Sequence, residues 1–153
     1  MPRSQQRVFR ARFESLSAID HFVAEAANRA GLDQCAVYQV QLAVDEACSN
    51  IIEHAYGGEG DGVIECSLDV THEKLTIALR DYGDRFDPQS VPEPNVEASL
   101  ENRTGGGLGL YFIHHIMDDV HFEFDPEKGN LLTMVKRIEK GDRQGGGTEC
   151  RRT

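Results

Sequence analysis

No apolar run in the sequence comes near the roughly 18 or more residues needed to span a bilayer, which excludes a membrane-spanning helix. No secretory leader is expected at its start either. Met1-Pro2-Arg3-Ser4-Gln5-Gln6-Arg7 is charged and runs into alternation rather than an apolar core, so a cytoplasmic chain is expected. Cys35, Cys48, Cys66 and Cys150 contain no CxxC spacing and sit in unlike contexts. That disfavours a zinc site and a disulfide framework and predicts buried free thiols. Positive charge is short: 16 Lys and Arg stand against 26 Asp and Glu, a formal net charge of −10. A phosphate backbone would be repelled, so direct nucleic-acid binding is disfavoured, and any control of transcription would have to run through another protein. There is no internal repeat, and 153 residues are about one domain's worth of chain. That domain is expected over residues 1–139. The glycine-rich tail 140–153 has almost nothing to bury and is expected to be disordered.

What is present is a series of short periodic segments. Val8 to Glu14 alternates, with Phe9, Ala11 and Phe13 on one face, and predicts a half-buried first strand. Ser17 is a candidate cap for a helix carrying Ile19, Phe22, Val23, Ala26 and Ala30, with Gly31 placed to end it in a left-handed residue. Asp33 can cap a second helix whose apolar positions run from Val37 to Ile52 and reach Tyr56, where Gly57-Gly58 stops it. Val63–Val70 and Leu75–Arg80 read as a hairpin, and Val120–Phe124 and Leu131–Lys136 as another, after a helix from Leu108 to Met117. Between them, 84–104 is polar and contains Pro88, Pro92 and Pro94; a loop that long in a compact domain is a functional lid or disordered. The order β-α-α-β-β-lid-α-β-β predicts an α+β fold, a two-layer sandwich with a mixed, mostly antiparallel sheet and helices on one face.

Three patches carry chemistry. On a helix, Glu46, Asn50 and His54 fall four apart on one stripe, so a carboxylate, an amide and an imidazole converge. An amide oxygen suits Mg2+, and a carboxylate one turn earlier can orient or deprotonate an attacking hydroxyl; a solvated helix face is the plainer alternative. Asp81 ends a strand before Gly83. It is either a simple turn or an acceptor for an adenine amino group, with Gly83 letting the base approach the backbone. The run Gly105-Gly106-Gly107-Leu108-Gly109 before a helix can cradle phosphate on its amides or act as a hinge. No Gly-Lys-Ser/Thr follows it and Rossmann spacing is lacking, so neither familiar phosphate loop fits.

Taken together, these patches resemble the asparagine box and the two glycine boxes of the Bergerat-fold (GHKL) ATPases, most closely those of bacterial anti-sigma factor serine/threonine kinases. The resemblance covers roughly Phe9 to Ile138 and includes Gln41 through His54-Ala55-Tyr56, Asp81-Tyr82-Gly83 with Phe86-Asp87-Pro88, and Gly106 through Asp118. It implies an ATP- and Mg2+-dependent serine kinase of partner-switching type, an anti-sigma factor that phosphorylates a serine on an anti-sigma antagonist. By the same resemblance Asn50 holds Mg2+, Glu46 is the general base and Asp81 reads adenine beside Gly83. Gly105, Gly107, Leu108 and Gly109 wrap the phosphates, and Thr133 supports the adenine contact. A sigma factor and the antagonist are the implied partners, with a homodimer. Arg85 departs from the wider superfamily, which often has a second glycine there. His114-His115 lacks the surroundings of a histidine-kinase phosphoacceptor. The alternative is a nucleotide-binding regulatory module that sequesters a protein partner without phosphotransfer.

Overall fold

The computed structural model describes residues 3–85 and 113–138. Strand β1 is Arg3–Arg10, helix α1 is Leu16–Ala30 and helix α2 is Gln34–Asn50, followed by a π turn at Ile51–Ala55. Strands β2 (Val63–Val70) and β3 (Lys74–Asp81) form a hairpin, and β4 (Asp119–Asp125) and β5 (Gly129–Arg137) form a second. The sheet order is β1-β2-β3-β5-β4. Every pairing among the described strands is antiparallel. This is the expected α+β sandwich.

Local chemistry explains the helix boundaries. Asp33 caps α2 by accepting from Ala36 N–H at 2.7 Å, and Gly31 ends α1 at φ 94°, a left-handed residue that only glycine adopts without strain. Two boundaries move. The first strand stops at Arg10, and a 3-10 turn at Phe13–Ser15 follows, leaving Phe13 exposed rather than in the strand's buried row. Helix α1 begins two residues earlier than a Ser17 cap would place it, at Leu16, without a side-chain cap bond.

Strict alternation gives the sheet one dry face. Leu75, Ile77 and Leu79 of β3 are fully buried, as are Ile64, Cys66 and Leu68 of β2 within 1%. They meet Ile19, Val23, Val40 and Val44 of the helices in one core. Each such side chain contributes about 1.5–3 kcal/mol by leaving water. Lys136 Nζ ties β5 to the helices, donating to Gln39 Oε1 at 2.9 Å and to the Ile116 carbonyl at 2.6 Å. Cys48 and Cys66 are the buried free thiols expected, and burial pushes the Cys66 thiol up to about 12. Cys35 departs from that expectation and is disulfide-bonded. No helix among the described residues is long and apolar enough to cross a membrane.

Candidate nucleotide and phosphotransfer site

Helix α2 delivers the first half of the site. Glu46 is half-buried, and one turn on Asn50 is only 4% exposed. The stripe ends there. At Ile51 the backbone pattern widens, so that Tyr56 N–H reaches back five residues to the Ile51 carbonyl at 3.0 Å. A π turn takes more residues than an α turn, so a spacing of four no longer returns to the same face. His54 is accordingly exposed, where an unbroken α-helix to Tyr56 would have stacked it above Asn50.

The widened turn abuts the end of β3. Ala55 C=O accepts from Asp84 N–H at 2.7 Å, and a Cβ on Gly83 would stand 2.4 Å from that same carbonyl oxygen. Gly83 is thus required by the approach of Ala55, a different reason from the base contact the sequence suggests. Tyr56 fastens the junction from below: its hydroxyl donates to the Val63 carbonyl at 2.7 Å and accepts from Tyr82 N–H at 2.9 Å. Glu46, Asn50 and the π turn therefore share one end of the molecule with Asp81.

Asp81 is 3% exposed, and its Oδ1 accepts from Gly83 N–H at 3.0 Å and from Asn130 Nδ2 at 2.8 Å. Asn130 lies opposite it in the β3–β5 register. Gly129, at φ 82°, lets the Asp81 backbone come close; a Cβ there would sit 2.2 Å from the Asp81 carbonyl oxygen. Thr133 is not brought to Asp81. Three residues beyond Asn130, it points to the opposite, half-exposed face, paired with Ala78 and His121. Asn130 and Gly129 are the residues a sequence reading misses, their signal being the position directly across the ladder from Asp81. Gly105, Gly107, Leu108, Gly109, the lid beyond Arg85 and the 140–153 tail lie outside the described residues. A cavity of about 540 Å³ lined by Arg80, Glu123, Phe124, Asp125 and Lys128 includes none of the sequence-predicted site residues.

The electrostatics suit these roles. Burial raises the Glu46 carboxyl above its ordinary range, and the negative charges of Asp45 and Glu53 push the same way. A carboxylate shifted upward is a stronger base when ionised. Burial also raises Asp81, offset in part by the bonds from Asn130 and Gly83. Asn50 fits a Mg2+ ligand: its buried amide nitrogen has no hydrogen-bond partner, so no bond opposes turning the amide to offer its oxygen. Magnesium takes few protein ligands and completes its shell with water and phosphate oxygens, so one amide with no carboxylate cage suits it.

A two-layer α+β sandwich with an amide and a carboxylate one turn apart on a helix, whose continuation meets the chain just past a buried strand-end aspartate, fits a nucleotide-binding ATPase fold. The family model described as histidine kinase-like ATPase domain matches residues 9–136, and the chain belongs to that family. Within it, the chain is similar to the serine-protein kinase RsbW of Listeria innocua, 35% identical over 118 residues that cover 74% of each chain. RsbW of Bacillus licheniformis is 30% identical over 119 residues, 74% of this chain and 73% of that one. RsbW of Bacillus velezensis is 30% identical over 126 residues, 80% and 77%. The chain is an ATP-binding enzyme of the protein-kinase branch of this family.

Proposed function

We infer that the protein is a Mg2+-dependent serine kinase that transfers the ATP γ-phosphoryl group to a serine of a small anti-sigma antagonist and binds a sigma factor when that antagonist is absent. The observation that carries this reading is the half-buried, upward-shifted Glu46 one helical turn before the buried Asn50, on a helix whose following π turn abuts Gly83 and Asp84 just past Asp81. The similarity to proteins named serine-protein kinase supports it.

Asp81 receives the amino group of adenine, and Gly105, Gly107, Leu108 and Gly109 wrap the phosphates. Asn50 holds Mg2+, which when bound neutralises charge on the phosphates. Glu46 accepts the proton of the substrate serine hydroxyl as that oxygen forms its bond to the γ-phosphorus and ADP departs. The product phosphoserine carries about −1.5 to −2 charge at neutral pH. On an acidic partner with net charge −10 that added charge weakens docking, which releases the antagonist and frees the kinase for its sigma factor. A homodimer is the working assembly, and the protein acts in the cytoplasm.

Two measurements test the reading. Calorimetry with ATP and Mg2+ is expected to show binding to the wild type that is lost in Asp81→Asn and Asn50→Ala. Labelled ATP is expected to place phosphate on a serine of an antagonist, in a reaction abolished by Glu46→Gln. Binding without transfer to any antagonist would favour the sequestering module; absence of ATP binding would overturn both.

A further inference from the structure

Helix α2 has an outer face unlike that of its neighbour. From Gln34 to Val44 it contains no Asp, Glu, Lys or Arg, in a chain of which 27% is charged. A helix that borders water normally carries charge on its outer face, and α1 does so with exposed His21, Glu25 and Arg29. On α2 the exposed positions include Gln34, Tyr38 and Leu42 instead, with Tyr38 58% and Leu42 40% exposed. Among the other exposed large apolar side chains of the described residues, the Tyr82 hydroxyl donates to Glu65 at 2.7 Å and Phe124 lies under the Arg85 guanidinium. Val8 and Phe13 stand on separate elements. Tyr38 and Leu42, four residues apart, share one helix face. A single exposed apolar residue is ordinary, whereas an aromatic and an aliphatic side chain stacked on a charge-free face have the composition of an interface core.

The same spacing of four continues to Glu46 and Asn50. Exposure falls along this stripe, from Tyr38 through Leu42 to half-buried Glu46 and buried Asn50. A serine that gives its proton to Glu46 therefore arrives from the exposed end, and the chain that bears it crosses Leu42 and Tyr38. Four residues of helix advance about 6 Å, so these side chains leave the helix about 6 and 12 Å from Glu46. Two residues of an extended chain advance about 6.6 Å and return to the same side, so the two repeats match. We propose that Tyr38 and Leu42 are the docking ledge for the protein substrate, and that they select a serine carried on an extended segment with apolar side chains two and four residues away from it. The absence of charge suits such an occupant, because covering the ledge desolvates no ionic group. The proposal rests on the reading of Glu46 as the base for a substrate serine.

Synthetic peptides with one central serine test the ledge. One set carries leucine two and four residues from the serine, on its N-terminal or its C-terminal side, and a control set carries glutamine at the same positions. With labelled ATP and Mg2+, the full chain is expected to use the better leucine peptide with a kcat/KM about tenfold or more above that of its glutamine counterpart. Tyr38→Ser and Leu42→Gln, both at exposed positions, are each expected to cut that preference to about threefold or less, through KM, while calorimetry shows ATP affinity unaltered. Tyr38→Phe and Leu42→Met are expected to restore it. Thermal unfolding identifies which variants are folded. A preference unchanged in folded Tyr38→Ser and Leu42→Gln would overturn the proposal, as would equal use of both peptide sets by the wild type. A fall in kcat alone, equal for both sets, would mark a merely structural role and overturn it too. So would the absence of phosphate on every peptide from a chain that binds ATP; transfer to an antagonist, abolished by Glu46→Gln, would then leave the kinase standing without its ledge. A chain that binds no ATP would overturn the kinase reading itself.

Discussion

Asn50 presents a buried amide nitrogen with no hydrogen-bond partner, a group that costs stability. Asn50→Leu, close in volume, is therefore expected to keep or raise the unfolding free energy by about 1 kcal/mol while removing the Mg2+-dependent part of ATP affinity. Urea melts set beside calorimetry with and without Mg2+ check both halves. Glu46→Gln is expected to leave ATP affinity within a few-fold and to lower phosphoryl transfer by about 10²–10⁴. Because burial and the charges of Asp45 and Glu53 raise the Glu46 carboxyl, wild-type transfer should climb with pH through a group above the ordinary carboxylate range. A rate profile that is flat there would contradict the role. The helical placement of Glu46 and Asn50 and the strand-end placement of Asp81 are legible in sequence because each sits in a locally determined pattern. The support to Asp81 was not. A strand alternates with period two, so choosing Thr133 over Asn130, an odd number of residues away, selects the opposite face of the sheet.

At the scale of elements, the site depends on how the end of one helix meets the end of one strand. The π turn at Ile51–Ala55 aims the Ala55 carbonyl at Asp84, and Gly83 leaves the room for it. Gly83→Ala would put a methyl 2.4 Å from backbone, which cannot rotate away as a side chain can. Its expected cost is about 1–3 kcal/mol in denaturant unfolding, with weaker ATP binding because Gly83 N–H also holds Asp81. Wild-type stability in that variant would mean that the junction yields easily. Apolar periodicity carried the second helix through to Tyr56 and placed its stop at Gly57-Gly58, and those glycines do take positive φ of 72° and 132°. The change of winding within it has no periodic signature, because Ile51, Ile52 and Ala55 are buried in either geometry. The π turn instead meets Gly83 and Asp84, just past a strand some 30 residues further along the chain.

Across the whole molecule, burial reverses the usual acid sensitivity of carboxylates. Asp20 of α1 and Asp45 of α2 form a hydrogen-bonded pair in the helix–helix seam, and burial together with Asp45 pushes Asp20 up to about 8. Asp81 and Glu46 are raised in the same direction. In the folded chain these groups hold protons that the unfolded chain has released, so their contribution to stability is fully present below the unfolded value of 3.8 and is lost as pH rises toward about 8. Exposed Asp125, lowered by the backbone N–H groups of Glu127 and Lys128, acts oppositely, in a window below pH 3.8. The unfolding midpoint is expected to fall between about pH 5 and pH 8. Asp20→Asn, which can still donate to Asp45 but does not titrate, should flatten that slope. A midpoint that rises with pH over this range would refute the pairing.

The sequence by itself determined the element order, the hydrophobic faces, the helix ends at Asp33 and Gly31, and the three patches that mark an ATPase-fold kinase. These depend on neighbours within a few residues, through side-chain period, capping and turn chemistry. Only the tertiary structure decided that Asn130 faces Asp81, that Gly83 yields to Ala55, that His54 leaves the stripe, and that Asp20 lies beside Asp45. Each of these joins residues far apart in the chain, and strand register, helix winding and burial, which no local pattern encodes, fix which of them meet.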